Sequence, residues 1–87
     1  MAYYIDFAPA AERAFLRLSP DIQRRLMPRI ESLADDPRPH NTRALQGEKD
    51  TYRLRVGDYR IVYRVEDEAE YVYVTLIGHR SSVYRDL

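Results

Sequence analysis

The fold is decided by the stretch Thr51-Tyr52-Arg53-Leu54-Arg55-Val56-Gly57-Asp58-Tyr59-Arg60-Ile61-Val62-Tyr63-Arg64-Val65. On both sides of Gly57-Asp58 it is rich in Tyr, Val and Ile, which is typical of two β-strands joined by a two-residue turn. A turn of this length fixes the register of the pair, so that Val56 faces Tyr59 and Arg55 faces Arg60. We therefore predict an antiparallel hairpin with strands at 51–56 and 59–65.

The two faces of this hairpin differ, because side chains alternate along a strand. Like charges placed directly across a strand pair cost a few tenths to ~1 kcal/mol, a cost that a merely solvated face does not need to carry. The charged face is therefore interpreted as an anion site, most simply for a phosphodiester backbone. The alternative is that its arginines extend into water or pair with Glu66, Asp67, Glu68 or Asp86. The charged face carries Arg53, Arg55, Arg60 and Arg64, and the opposite, core face carries Tyr52, Leu54, Val56, Tyr59, Ile61, Tyr63 and Val65.

The flanking segments complete an α+β domain spanning residues 1–87. Ser19 and Pro20 suit the N-cap and the first position of a second helix, and Pro28 lies inside that helix. We predict the order strand, helical hairpin, three-stranded antiparallel meander, with the helices packed on one face of the sheet. The predicted elements are a strand at 3–7, helices at 9–18 and 20–33, and strands at 51–56, 59–65 and 71–77, with 37–50 mostly loop.

Composition excludes several classes of protein. The chain has no cysteine and only two histidines, so it has neither a disulfide framework nor a zinc site of thiolates and imidazoles. Its start resembles no signal peptide, and no apolar run reaches the ~20 residues that span a bilayer, so we expect a soluble cytoplasmic protein without membrane contact. The acidic turn at 66–70 is interpreted as a solvated hairpin end, and no metal or cofactor is expected. His40, beside Pro39, is interpreted as a loop histidine without a role.

The charge balance conceals a local asymmetry. The 14 cationic and 14 anionic side chains cancel, whereas a nucleic-acid-binding protein is expected to be basic overall. Four arginines nevertheless share one sheet face, and four carboxylates share the turn at 66–70. Thirteen of the cations are arginine and Lys49 is the only lysine, which favours planar, two-pronged recognition of phosphate.

The segment after the third strand adds further chemistry. It reads Gly78-His79-Arg80-Ser81-Ser82-Val83-Tyr84-Arg85 and brings an imidazole, two guanidiniums and a phenol into one short tail. A phenol can stack on a base, and an imidazole can transfer protons near neutral pH. Beside an arginine face these groups can add to the site. The third strand is apolar on both faces, however, so its register and the side of the sheet on which Arg80 emerges stay open.

Five motifs occur together in the chain: Tyr3-Tyr4-Ile5-Asp6-Phe7, Leu45-Gln46-Gly47, residues 52–63, Ile77-Gly78-His79-Arg80 and Val83-Tyr84. They resemble the RelE toxins, within the RelE/ParE superfamily of toxin–antitoxin modules. The resemblance covers essentially the whole chain and is most specific at the hairpin and the Gly-His-Arg tail. It implies a RelE-like, microbial-ribonuclease-like fold and an mRNA interferase, an endoribonuclease that cuts messenger RNA in the ribosomal A site and is neutralised by a RelB-type antitoxin.

The resemblance also implies a mechanism and a set of site residues. Cleavage would need no metal and would proceed by attack of the ribose 2′-hydroxyl, leaving a 2′,3′-cyclic phosphate and a 5′-hydroxyl. Arg80 would be the proton donor to the leaving oxygen, and Tyr84 would stack on or orient a nucleotide. Arg64 and Arg85 are further candidates for substrate binding. Residue by residue, the family's site falls on Arg53, Arg55, Arg60, Arg80 and Tyr84.

The sequence departs from the best-known family pattern at the two strand positions, where that pattern has lysines and one lysine can act as the base. Here they are Arg53 and Arg55, and a guanidinium group stays protonated at neutral pH, so neither residue can serve as the base. We therefore hypothesise that His79 takes a proton-transfer role.

Two other functions stay open at this point. ParE-type toxins share the fold but inhibit DNA gyrase and do not cut RNA; the presence of both Arg80 and Tyr84 favours the ribonuclease. A non-catalytic module could also use the arginine face only to dock RNA or protein. In any of these cases the strand at Tyr3–Phe7, as a sheet edge, could accept an antitoxin strand.

Overall fold

The computed structural model, which describes residues 2–40 and 42–79, has two helices packed on one face of a five-stranded sheet. The strand order is β1-β5-β4-β3-β2, with β1 parallel to β5 and the other neighbours antiparallel. The predicted α+β architecture is confirmed, and β2 is an additional strand in the segment expected to be mostly loop. The elements are β1 (Tyr4–Phe7), α1 (Pro9–Leu16), α2 (Pro20–Glu31), a 3-10 turn (Ser32–Ala34), β2 (Thr42–Ala44), β3 (Thr51–Val56), β4 (Tyr59–Glu66) and β5 (Tyr71–His79).

The β3–β4 hairpin has the predicted register. Val56 pairs with Tyr59 and Arg55 pairs with Arg60, so the turn consists of Gly57 and Asp58 alone. Gly57 adopts a φ of 60°, whereas Asp58 is outside the left-handed region. A positive φ at the first turn position only is expected of a type II′ turn, which favours glycine there.

The helices begin as the sequence predicts. The Ser19 hydroxyl accepts a hydrogen bond from the Ile22 amide at 3.4 Å, and Pro20 occupies the first helical position. Pro28 lies inside α2, which ends at Glu31 and continues into the 3-10 turn. Neither described helix is long and apolar enough to cross a membrane.

The core lies between the helices and the predicted apolar face of the sheet. Tyr63 is its largest fully buried side chain, and its hydroxyl donates a 2.6 Å hydrogen bond to the Pro37 carbonyl. This bond fixes the chain that leaves the helices against the sheet. The buried core residues are Ala11, Phe15, Leu26, Ile30, Leu33, Leu54, Val56, Ile61, Tyr63, Val65, Val72, Val74 and Ile77.

Strand β5 is apolar on both faces, so its register could not be read from its sequence. In the structure Arg60 pairs with Gly78 and Tyr59 pairs with His79. A register shift lies between Val62 and Tyr63, where the Thr75 hydroxyl donates to the Val62 carbonyl at 3.2 Å. This irregularity sets which side chains at the end of β5 lie on each face.

Candidate nucleic-acid interface

The predicted arginine face is present on the side of the sheet that faces away from the helices. Arg55 lies across from Arg60, and Arg64 lies across from Thr51. Strand β2 extends the face, because Arg43 pairs directly with Arg53. Residues paired across a ladder point to the same side. Arg43, Arg53, Arg55, Arg60 and Arg64 therefore share one face, which we call the arginine face.

One end of the arginine face forms a cleft of about 260 Å³. Three guanidiniums around a space of this size can hold a phosphate by charge-assisted, two-pronged hydrogen bonds. The imidazole of His40 adds a side chain of a different kind, which can both donate and accept hydrogen bonds. We call this space the arginine cleft; its lining residues are His40, Thr42, Arg43, Arg53 and Arg55.

Arg60 and Arg64 have different surroundings within the face. Arg60 is only 3% exposed, and its Nη1 donates to the carbonyls of Gly57 and Tyr59 at 3.2 Å each. These bonds hold its guanidinium at the hairpin turn. Arg64 is exposed and forms a 2.9 Å ion pair with Glu66. The alternative considered above, pairing with the acidic turn, therefore applies to Arg64.

Beyond Arg64 the same face continues into a ladder of stacked tyrosines. The ring centroids of Tyr4 and Tyr71 are 5.8 Å apart, and those of Tyr71 and Tyr73 are 6.1 Å apart. The Tyr71 hydroxyl donates to Asp6 at 2.7 Å, and this hydrogen bond raises the pKa of Tyr71 to about 12. The rings form a stacked aromatic row next to the arginine face.

A second cluster, built around Asp67, ties the acidic turn to the loop that follows the helices. Arg38 donates to both Asp67 oxygens, at 3.1 and 2.8 Å, and to the Tyr52 hydroxyl at 2.8 Å. The Tyr3 hydroxyl also donates to Asp67, at 2.7 Å. Hydrogen bonds from Arg38 first, and then from Tyr3, lower the pKa of the Asp67 carboxyl. The turn therefore has a structural role, and it holds Arg38 just ahead of His40.

Of the predicted site residues in the C-terminal tail, the structure describes only His79. His79 was hypothesised to transfer protons, and the sequence did not fix the side of the sheet on which it lies. The register sets its side chain on the same side as Tyr59, the helix-bearing side, and the two rings meet edge to face at 5.6 Å. The cause is the pairing at the end of β5, which sequence patterning could not supply. Arg80, Tyr84 and Arg85 lie outside the described residues, and their roles stay predictions.

Two residues of the cleft were missed by sequence reasoning. Arg43 lies on a strand of only three residues, too short to show the alternation that marks a strand. His40 was interpreted as a histidine without a role, yet its loop brings it to the cleft. The available signal was the Thr42-Arg43-Ala44 segment, because a strand there would place an arginine beside the hairpin.

Known proteins resemble this chain over nearly its whole length. A family model described as the ParE toxin of the type II toxin–antitoxin system parDE matches residues 5–84. The mRNA interferase toxin RelE of Escherichia coli (strain K12) is 33% identical over 90 residues, covering 99% of this chain and 94% of that protein. Toxin RelG of Mycobacterium tuberculosis is 28% identical over 86 residues, covering 98% of this chain and 99% of that protein.

Solved toxin–antitoxin complexes share the fold. The toxin–antitoxin complex RelBE2 from M. tuberculosis matches with a TM-score of 0.81 and 28% identity, covering 93% of this chain and 94% of that one. The intact E. coli RelBE complex matches with a TM-score of 0.78 and 32% identity, covering 90% and 96%. The sheet, its cationic face and these likenesses define a toxin of the type II toxin–antitoxin class. Within that class, the chain belongs to the RelE family of the RelE/ParE superfamily.

Proposed function

We propose that this RelE-family toxin is an endoribonuclease that cuts messenger RNA in the ribosomal A site and so inhibits translation in the cytoplasm. The observation that carries the proposal is the arginine face, which places guanidiniums from three neighbouring strands on the side of the sheet away from the helices. Guanidiniums in this arrangement suit a polyanion whose charges repeat along a chain. The mRNA interferase name of the E. coli relative supports the same substrate.

The proposed reaction is an intramolecular transfer at phosphorus. The ribose 2′-oxygen bonds to the adjacent phosphorus, the bond from phosphorus to the 5′-oxygen breaks, and a 2′,3′-cyclic phosphate and a 5′-hydroxyl result. Negative charge accumulates on the phosphoryl oxygens in the transition state, and Arg53, Arg55 and Arg60 would stabilise it. Of these, Arg60 is held at the turn before substrate arrives, since its Nη1 already donates to two carbonyls. Such preorganisation lowers the cost of ordering the site during the reaction.

The proposed partner is a RelB-type antitoxin that covers this face or the sheet edge. The solved M. tuberculosis and E. coli relatives are toxin–antitoxin complexes. In this chain β1 is an edge of the described sheet, and Tyr4 on it is 65% exposed. An edge strand presents backbone donors and acceptors that an added strand can pair with.

The proposal is tested by translation in a purified system, with primer extension to locate cuts in the messenger. We expect A-site cuts with the wild-type chain, weaker cuts with Arg55→Ala, and a loss of cuts with Arg80→Ala. Arg13→Ala is the matched control, because it removes an exposed arginine from α1 on the other side of the sheet. Wild-type protein that leaves the messenger intact would contradict the proposal.

Gyrase inhibition is the second candidate, because the matching family model is named for ParE toxins. A supercoiling assay with purified gyrase distinguishes the two functions. Inhibition of supercoiling by the wild-type chain, without cuts in ribosome-bound messenger, would favour the ParE-type activity. If the chain does neither but still binds RNA, it is a binding module.

A further inference from the structure

The loop before β2 brings His40 to the arginine cleft. His40 lines the same 260 Å³ space as Arg43, Arg53 and Arg55. His40 itself is exposed. The ring is therefore available to a ligand that enters the cleft.

Hydrogen bonds on both sides fix the loop that carries His40. Before it, the buried Tyr63 hydroxyl holds the Pro37 carbonyl at 2.6 Å. After it, the Thr42 amide and hydroxyl both donate to the Pro39 carbonyl, at 3.1 and 2.7 Å. A proline immediately before His40 also restricts the backbone there. The chain on either side of His40 is thus held to the fold before substrate binds.

The bond between Arg38 and the acidic turn adds a third anchor. Arg38 is two residues before His40 and is held by both oxygens of Asp67 and by the Tyr52 hydroxyl. These groups come from β3 and from the turn between β4 and β5, so the loop is tied to the sheet. Precise placement of a proton-transfer group is a requirement of general acid–base catalysis.

Cleavage needs a base for the 2′-hydroxyl, and the arginines of the cleft cannot supply one. Guanidiniums remain protonated at physiological pH. The charged groups that share the cleft with His40 are Arg43 of β2 and Arg53 and Arg55 of β3. Among the described residues of the cleft lining, His40 alone carries an imidazole, the side-chain type that serves most often as a general base. His79 lies on the opposite side of the sheet, against Tyr59.

We propose that His40 is the general base of the cleavage reaction, an inference that rests on the proposed function. An imidazole nitrogen of His40 takes the proton of the 2′-hydroxyl as the 2′-oxygen bonds to phosphorus. The bond from phosphorus to the 5′-oxygen breaks, and that oxygen leaves with a proton drawn from solvent water. The imidazolium then returns its extra proton to water, so the protein ends the reaction unchanged.

The test compares the two histidines of the chain. Single-turnover cleavage of A-site messenger is measured between about pH 6 and about pH 8 for the wild type, His40→Gln and His79→Gln. A base must be deprotonated to act, so the wild-type rate rises with pH and levels off above the imidazole range. We expect His40→Gln to cut about 100-fold more slowly near pH 7 and to lose this rise, whereas His79→Gln keeps it.

A second variant separates a chemical role from a structural one. Free imidazole added to His40→Ala restores the rate if the side chain supplies a base, and it does not repair a misplaced loop. The inference about His40 would be overturned, with the proposed function left intact, if His40→Gln and wild type had equal rates and pH profiles. It would also be overturned if imidazole did not rescue His40→Ala. A rise of the cleavage rate with pH that disappears in His79→Gln but persists in His40→Gln would overturn it as well. A wild-type chain that cuts no messenger would overturn the proposed function and this inference together.

Discussion

Arg55 lies directly across from Arg60 in the β3–β4 ladder, so two guanidiniums occupy adjacent positions on one face of the sheet. Like charges at such positions are destabilising by a few tenths to ~1 kcal/mol. We predict that Arg55→Thr raises the free energy of unfolding by a comparable amount and lowers the rate of RNA cleavage. Urea denaturation and the translation assay measure the two effects. Arg55 would then increase the rate of cleavage while lowering the stability of the fold.

The control for that prediction is Arg64→Thr. Arg64 is on the same face, but it pairs with Glu66 at 2.9 Å and lies across from a threonine. Removing it relieves no like-charge pair, so we expect no gain in stability. If both variants are stabilised equally, the cause is the higher strand propensity of threonine and not cross-strand repulsion.

The hairpin could be predicted from sequence because its register depends only on the turn and on the residues next to it in the chain. A two-residue turn at Gly57-Asp58 leaves one register, and alternation then assigns every side chain to a face. The core face and the positions of Arg53, Arg55, Arg60 and Arg64 followed from this. Helix starts were local as well, since the Ser19-Pro20 pair marks the beginning of α2.

The parts of the site that could not be predicted depend on pairing between distant segments. Strand β2 exists because β3 offers an edge to it, and three residues carry too little pattern to reveal this. The register of β5 depends on an irregularity beside Val62, so alternation alone could not assign His79 to a face. For the same reason the proximity of His40 to Arg53 is a property of the tertiary structure.

We predict that Gly57→Ala destabilises the protein by about 1 kcal/mol, because a positive φ is sterically unfavourable for a residue with a Cβ atom. Gly57 has a φ of 60°, and a Cβ there would lie 2.7 Å from Arg25 Nη2. The Arg25 head group can move aside, so the backbone supplies most of the cost. Asp58→Ala is the control, with an expected change within about 0.5 kcal/mol. A larger loss in that variant than in Gly57→Ala would contradict the assigned turn.

Tyr63→Phe should lower the free energy of unfolding by about 1 kcal/mol, since the Pro37 carbonyl loses its hydrogen-bond donor. Burial raises the pKa of Tyr63 well above its ordinary value, so the hydroxyl remains a donor across the physiological range. The same change should slow cleavage, because this bond anchors the loop that carries His40. Tyr73→Phe is the control: its hydroxyl makes no hydrogen bond to a described residue, and we expect stability to be unchanged. Thermal or urea unfolding of both variants provides the comparison.

The Asp67 cluster should give a stability that depends on pH. The folded-state pKa of Asp67 is lowered, mainly by the hydrogen bonds from Arg38, so its contribution is present above the unfolded pKa and lost as pH falls through the folded value. We predict that Asp67→Asn lowers the urea midpoint slightly at neutral pH. Below the ordinary aspartate pKa of about 3.9, the midpoints of variant and wild type should converge.

A matched control for the pH effect is Asp21→Asn, which removes the partner of Arg24 on α2. Both side chains of that pair are largely exposed, at 84% and 72%, so the pair contributes little to stability. We expect the Asp21→Asn midpoint to follow the wild type at every pH. A gap between Asp67→Asn and wild type that stays constant with pH would show that the Asp67 carboxylate charge is not the source of the effect.

Arg43 is predicted to contact the RNA backbone without selecting a base. It lies across from Arg53 and lines the arginine cleft, so its guanidinium should neutralise one phosphate. Each phosphate contact to a single strand contributes about 0.7 to the slope of log affinity against log salt concentration. We predict that Arg43→Ala weakens binding to all sequences alike and reduces this slope by about that amount. Fluorescence anisotropy with RNA that carries a 2′-deoxy residue at the cut site measures binding without cleavage, and Arg13→Ala should keep the wild-type slope.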